Sequence, residues 1–254
     1  MRLFRRKKQN QEDFEDFPAI GGLMVSKMIT EQGKKPLFMY REKRTRPEDS
    51  GWRIFSGFES QDYTDNPSNT GIYNPSTILK MDASLKNLLL CGVGSVFERE
   101  SEKTEWYEVY DYPLEDDFLV ELPIFENWNL EINNLFEFVE ESDETFLFTT
   151  GDKSLRISFQ NALGKSKNEL MDEKIEEIKT RDQSAGKTLS EFDLSDELIA
   201  RVGYEIIERD EQKAYHVIYA FSIVEEEFLQ MAFYVDKESD RAWAFETWSA
   251  IGIV

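Results

Sequence analysis

The sequence predicts an α+β fold in two domains, a small mixed α+β N-terminal domain and a C-terminal domain built as an antiparallel meander with helices. Three observations carry that expectation. Short β-rich runs bounded by Gly, Pro, Asn and Asp recur along the chain. Several stretches show helix caps followed by apolar residues at helical spacing. The charge also divides unevenly: over 254 residues it sums to −21, yet residues 1–105 hold 17 Lys/Arg against 16 Asp/Glu, and residues 106–254 hold 13 against 35. With 40% apolar residues, including 19 Phe, 10 Tyr and 5 Trp, the chain has material for a real core.

The elements follow in order. Met1 to Lys8 is basic and Gln9 to Asp16 polar, so residues 1–18 read as a disordered tail, with a weak contact to acidic lipid or nucleic acid as the alternative. The first domain is expected over 19–110. Gly21–Ser26 reads as a strand, and Ser26 caps a short turn through Met28 and Ile29. Leu37–Arg41 is a second apolar run, and Trp52–Gly57 a further strand after a basic loop and a turn at Pro47. Asn74-Pro75-Ser76 starts a helix, with Asn as cap and Pro in its first position. Asp82 opens another, with Leu85, Leu88 and Leu89 on one face, ended by Gly92 and Gly94. Val96–Arg99 closes this half as a strand.

The second domain is expected over 111–254. Phe118–Phe125, Leu135–Val139, Thr145–Thr149 and Leu155–Phe159 are spaced as an antiparallel meander. Lys167–Arg181 reads as a charged helix with a narrow stripe of Leu170, Met171, Ile175 and Ile178. A loop follows from Gly186 to Asp196. Tyr204–Glu208, Ala214–Val224 and Glu226–Val235 are three more strands, the last with Leu229, Met231, Phe233 and Val235 on one face. Ser239 or Asp240 caps a final helix that turns Trp248 and Ile251 to the sheet.

Composition excludes much chemistry. One cysteine, Cys91, permits no intrachain disulfide and no cysteine-based zinc site; it reads as a buried core thiol. The single histidine, His216, rules out paired-histidine metal motifs and reads as a packed residue in a strand. Gly186-Lys187-Thr188 has the tail of a phosphate loop, but Arg181 stands where its first glycine belongs. No metal and no cofactor is expected. No run approaches the roughly 20 apolar residues that cross a bilayer, and Gln9–Asp16 is polar where a signal peptide is apolar, so a reducing cytoplasm is expected.

The stretch Arg41 to Arg53 stands apart. Asp49-Ser50-Gly51 is a turn-forming set and Trp52 a large packing surface, which reads as a turn that pins a tryptophan into the core. The functional reading beside it is a polar recognition site in which Arg41, Glu42, Asp49 and Arg53 cluster, with Ser50 and Trp52 among the candidates. Ser50 lacks an evident base, so the segment is poor as a catalytic loop. Asp116 and Asp117 near the boundary, and Glu225, Glu226 and Glu227 at a hairpin tip, read as solvated turns and as the contacts of a basic partner if there is one.

Arg41-Glu42, a short spacer, and Asp49-Ser50-Gly51-Trp52-Arg53 leading into Phe55-Ser56-Gly57 resemble the signature of immunity protein 33-like domains, long described as a domain of unknown function. Agreement runs from Val25-Ser26-Lys27 through Tyr63 and Asn66-Pro67 to the Leu-rich helix and Gly92–Arg99, about a third of the chain over residues 20–105. The resemblance implies a bacterial, cytoplasmic, non-enzymatic protein. For some relatives it implies neutralisation of toxins deployed between related bacteria. The acidic second half lies outside the matched region; its meander-then-helix order is similar to the fold of the photosystem extrinsic protein PsbP.

Together these readings predict an acidic cytoplasmic binding protein of immunity type, whose partner is a basic protein such as a toxin and not nucleic acid, since acidic charge repels phosphate. The alternative is an accessory or scaffolding protein that binds a small ligand or another cellular partner near the Asp-Ser-Gly-Trp segment.

Overall fold

Strand alternation organises the N-terminal half. In β1 (Gly22–Ser26), Leu23 and Val25 are fully buried while Met24, between them, is only half-buried. β2 (Phe38–Arg41) buries Met39, and β3 (Asp49–Phe55) buries Trp52 and Ile54. Two residues per repeat place these side chains on one face of a shared sheet. The computed structural model describes residues 14–184, 186–209 and 214–254. Its contacts divide the chain into two compact units, Met1–Glu115 and Asp116–Val254, which are taken in turn. The fold is mixed α+β with three sheets among the described residues.

The first unit adds α1 (Lys27–Thr30), α2 (Gln61–Thr64), β4 (Thr70–Tyr73), α3 (Pro75–Met81), β5 (Val96–Glu98) and β6 (Tyr107–Glu108). The strands form one sheet in the order β4-β1-β3-β2-β5-β6, in which β1 and β3 run parallel and the other neighbours antiparallel. Ser26 and Asn74 cap α1 and α3 by accepting from the amides of Met28 and Ser76, as their sequence positions predict. Ile29, Ile78 and Leu79 meet the buried face of the sheet.

Several expectations change here. The helix predicted from Asp82 is instead a pair of 3-10 turns, Ala83–Leu85 and Leu88–Leu90. Asp82 is held extended, its carboxylate accepting from Ser84, while the buried Arg99 binds Asp82, Ser84 and the Pro36 carbonyl. That clamp bends the chain before a helical turn can propagate, yet Leu85 and Leu89 are still fully buried. Cys91 is half-buried and not a core thiol. Tyr107–Glu108 adds a strand beyond Val96–Arg99, where the sheet was expected to close. Of the tail expected over 1–18, residues 1–13 lie outside the described ones; Phe14–Asp16 forms one 3-10 turn with Phe14 buried in the core.

The second unit contains β7 (Leu119–Ile124), β8 (Trp128–Asn133), β9 (Glu137–Ser142), β10 (Thr145–Thr149), β11 (Lys153–Asn161), α4 (Lys167–Thr180), β12 (Thr188–Asp193), β13 (Ala200–Arg209), β14 (Ala214–Val224), β15 (Glu227–Val235), α5 (Arg241–Ala250) and β16 (Gly252–Ile253). Seven strands form an antiparallel sheet in the order β12-β13-β14-β15-β11-β10-β9, and three form a second, β16-β8-β7. Of the four strands expected as one meander, the last three form it as β9-β10-β11, while the first becomes β7 and pairs with β8 in the smaller sheet. On one face Leu229, Met231 and Phe233 meet Trp128, Leu130 and Ile132 of β8 and Trp248 of α5. On the other, Leu170 and Ile178 of α4 meet Val202, Phe221 and Ile223. A capping box between Ser166 and Glu169 starts α4.

In this unit three strands went unforeseen, β8, β12 and the two-residue β16, and one shifted. The loop expected over Gly186–Asp196 contains β12, a mostly exposed edge strand whose polar residues suit an edge. β8 lies between runs read as neighbouring strands, and the strand expected at Leu135–Val139 begins only at Glu137, with Leu135 and Phe136 buried in the preceding turn. Asp240 precedes α5 but makes no side-chain cap.

Gly203 is where β13 passes closest to its neighbours: a Cβ there would stand 2.5 Å from the Tyr219 carbonyl oxygen and 2.9 Å from the Trp248 ring. Gly203→Ala is therefore expected to lower unfolding free energy by about 2 kcal/mol, read as a shifted denaturant midpoint. An unshifted midpoint would mean that Trp248 is not seated against β13.

Candidate functional site

β3 departs from regular pairing where the unusual stretch begins. Gly22 of β1 stands opposite Asp49, but Met24 stands opposite Arg53, so two steps along β1 are matched by four along β3. Gly51 takes up the slack with φ +81°, a conformation that glycine adopts without steric penalty. A Cβ at this position would lie 2.2 Å from the Glu42 carbonyl oxygen. The Asp49 carboxylate accepts from the Gly51 amide, and the Ser50 hydroxyl donates to the Gly22 carbonyl while accepting from the Trp52 amide. Asp49-Ser50-Gly51 is thus an irregular opening of a strand, where the sequence predicted a turn ahead of the strand that pins Trp52 into the core. Both local expectations, the aspartate's bond to nearby backbone and the positive φ of the glycine, are present within it.

The irregularity folds β3 back on itself enough for Asp49 to reach Arg53. Four residues of regular strand would span roughly 13 Å. Here the Arg53 guanidinium donates to both oxygens of Asp49, at 2.9 and 2.6 Å, and to Glu42 at 2.6 Å. Arg53 is only 7% exposed, so the paired carboxylates are what make its burial tolerable. Burial by itself would raise the pKa of Asp49, but the hydrogen bonds from Arg53 and the Gly51 amide outweigh it and hold the carboxyl below its ordinary value. The same pairing offsets the cost of burying Arg53 and raises its pKa.

The six candidates of this stretch do not form one cluster. Glu42, Asp49 and Arg53 come together on one side of the sheet. Trp52 is fully buried on the other, donating from Nε1 to the Leu89 carbonyl at 3.1 Å. Ser50 is buried in backbone contacts and has no catalytic geometry. Arg41 donates to the Ser50 and Cys91 carbonyls and lies over the Trp52 ring, 5.9 Å from its centre. It braces the tryptophan and does not join the Glu42–Asp49–Arg53 group.

Beside Arg53 lies an open groove of about 770 Å³, contained within the first unit. Its floor is the face of the sheet opposite the core. There Tyr40 stacks on Phe55, ring centres 6.1 Å apart, and Tyr112 leans on Tyr40 at 5.2 Å and on Phe38 at 5.1 Å. Carboxylates of Glu42, Glu59, Asp65 and Glu98 line it alongside Arg53. Burial, then the charge of Glu42, pushes the Tyr40 hydroxyl up to about 12, and the same two causes raise Tyr112. Both therefore stay neutral hydroxyls at physiological pH. Sequence reading missed this aromatic floor. The signal in hand was the alternation of Phe38 and Tyr40 with the buried Met39; nothing local could bring Tyr112 to them.

In the second unit the acidic candidates have internal roles. Asp116 and Asp117 accept from Asn134 and Asn133 at 2.9 and 2.7 Å. Glu225 and Glu226 occupy the turn between β14 and β15, Glu226 with φ +63°. Glu225 accepts from the Lys167 amide at the start of α4, Glu226 from the Gly164 amide, and Glu227 from the Trp128 indole. His216, placed by the sequence as a packed strand residue, sets Nδ1 3.1 Å from the buried Glu205 carboxylate, which also accepts from Arg241. Among the described residues, no group of three or more His, Cys, Asp or Glu is arranged to hold a metal ion, and no helix is long and apolar enough to cross a membrane.

Residues 23–110 match the family model of the Immunity protein Imm33 domain, which agrees with the resemblance carried by Arg41 to Gly57 and by Gly92–Arg99. The match takes in β1 to β6 and ends two residues before Tyr112. No curated protein matches the chain. Among solved structures, a crystal structure at 1.50 Å from Bacteroides thetaiotaomicron VPI-5482 is similar with a TM-score of 0.42 and 12% identity, over 50% of this chain and 45% of that one. This chain thus spans less than half of that protein. The solution structure of cyanobacterial PsbP from Synechocystis sp. PCC 6803 is similar with a TM-score of 0.42 and 7% identity, over 54% of this chain and 94% of that one. The Ran-binding protein Mog1p of Saccharomyces cerevisiae follows at a TM-score of 0.36 and 11% identity, over 51% and 84% of the two chains. At these scores none of the three carries a functional inference.

Because Asp49 has a depressed pKa in the folded state, its carboxylate contributes stability above about pH 4 and loses that contribution as pH falls through the lowered value. Asp49→Asn should cost about 1–3 kcal/mol at pH 7, since Arg53 stays buried with a poorer partner. Its unfolding midpoint should then fall less steeply than the wild type's between pH 4 and 2. Parallel curves would show that the Asp49–Arg53 pair is not formed.

Proposed function

We propose that this chain is a non-enzymatic binding protein of immunity type, which neutralises a basic toxin or similar basic protein by covering its active surface. The observation that carries the reading is the Imm33 match over residues 23–110, which spans the buried Arg53 pairing and most of the groove beside it. The charge supports it. With 35 Asp/Glu against 13 Lys/Arg in residues 106–254, the second half attracts a basic protein before contact and raises the association rate. In this reading the two units act as two domains in a bacterial cytoplasm: the first supplies the family fold and the second the field. The alternative, an accessory protein that takes a small ligand near Asp49-Ser50-Gly51-Trp52, is favoured by one observation, the open groove beside Arg53.

The test is capture of partners by the tagged full chain from its native host, followed by expression of each captured protein alone and with this one. The expected outcome is a basic protein that is toxic alone and harmless in company. Its association rate should fall about tenfold or more between 0.05 and 0.5 M salt. A rate indifferent to salt would remove the electrostatic part of the proposal, and the absence of any toxic partner would remove the immunity reading.

A further inference from the structure

The groove of the first unit has a composition that selects its occupant. Phe38, Tyr40, Phe55 and Tyr112 form a continuous aromatic surface on a sheet face that α1 and α3 do not cover, and each ring is half-buried. Glu42, Glu59, Asp65 and Glu98 line the same groove, against the single guanidinium of Arg53. That guanidinium is already matched by Asp49 and Glu42 at 2.6 to 2.9 Å. The groove therefore carries net negative charge over faces of π-electron density. Both features repel anions and attract cations, and aromatic faces beside carboxylates bind a guanidinium better than an ammonium, because its plane stacks while its edge donates two parallel hydrogen bonds. Phosphate-bearing partners are disfavoured by the same charges.

We propose that this groove is the anchor site for an arginine side chain on a basic segment of a protein partner, stacked on the aromatic surface that Tyr40 and Tyr112 share and hydrogen-bonded to Glu98. The proposal deepens the immunity reading and rests on it for the identity of the partner, though not for the chemistry of the groove. The acidic second half then speeds encounter, while the groove of the first supplies short-range recognition. Tyr40 and Tyr112 keep their hydroxyl protons throughout the physiological range, so the anchor holds its character from pH 6 to 9.

Met24 lies in the groove and is one of 7 methionines, so its methyl signal in the full chain, assigned by Met24→Leu, reports occupancy directly. The probe is a capped pentapeptide of four glycines around a central arginine, with the glutamine counterpart as control. The arginine peptide should shift the Met24 signal saturably and the glutamine peptide should not; equal shifts, or none, overturn the assignment. Glu98→Lys places a cation at an exposed rim position and should weaken arginine-peptide binding at least tenfold with an unchanged unfolding midpoint; unchanged affinity in this variant also overturns it. Tyr112→Phe keeps the ring and should bind as wild type, and loss of binding there would shift the contact from the ring to the hydroxyl and overturn the stacked geometry. Agmatine carries the guanidinium without a peptide, and tighter binding by agmatine would replace the protein partner with a small cationic ligand. The two readings fail separately. A toxic partner neutralised equally well by Glu98→Lys protein sinks the groove and leaves the immunity reading standing, whereas arginine-peptide binding with no toxic partner does the reverse.

Discussion

A guanidinium buried to 7% exposure cannot stand unpaired, and the opening of β3 is built around that constraint on Arg53. Its two carboxylate partners come from opposite directions: Glu42 follows the end of β2, and Asp49 lies only four residues back along the same strand. A flat strand would carry Asp49 too far away to form a two-pronged pair with Arg53. The unmatched residues opposite β1, absorbed by the positive φ of Gly51, shorten that path. Ser50 then seals the irregularity by bonding across to Gly22, so the amides left unpaired by the bulge find side-chain acceptors.

The two faces of β3 consequently do different work. Trp52 and Ile54 face the core, where Trp52 stacks on Phe97 and donates to Leu89. Arg53 and Phe55 face the groove. A slip of one residue would exchange these sets and bury a charge among the leucines of the core. Arg99 poses the same problem at another corner of the unit and meets it the same way. Burial opposes the charge of Asp82, but hydrogen bonds from Ser84 and Arg99 hold its carboxyl below the ordinary value. Two buried arginines, each with acidic and carbonyl partners, thus fix the strand register on one side and the path of the 3-10 turns on the other.

Much of this was legible in the chain, and what was not has definite causes. Ser26 and Asn74 announce their helices because capping is local chemistry between near neighbours; the Ser166–Glu169 capping box of α4 is just as local, though the helix was read from its apolar stripe alone. The buried alternation of β15 is equally local. β8 was readable in principle but was passed over: Trp128, Leu130 and Ile132 alternate cleanly with Asn129 and Glu131. β12 was not, since an exposed edge strand leaves little hydrophobic pattern to find. At the candidate site, alternation alone separates Trp52 from Arg53, and treating Asp49 to Gly51 as a turn hid that separation. The groove depends on Tyr112 returning to Phe38 and Tyr40 across some seventy residues, a contact with no signature in any short window.

The acidic charge of the second half and the acidic groove of the first differ in kind. Glu225, Glu226 and Glu227 each accept from an amide or an indole within their own unit, so part of their bonding capacity is used internally while their charge still contributes to the outward field. A field of this sort acts over about a Debye length, near 10 Å at moderate salt, and does not distinguish one basic protein from another. Discrimination needs shape at short range, and the aromatic floor has it: rings fixed by mutual packing present a surface that is already organised before a partner arrives. Attraction without the groove would give fast but promiscuous encounters. A groove without the attraction would be selective but slow. The immunity role proposed above would require a toxin to be found quickly among many other basic proteins, and dividing attraction and selection between a charged half and a shaped half would serve both tasks.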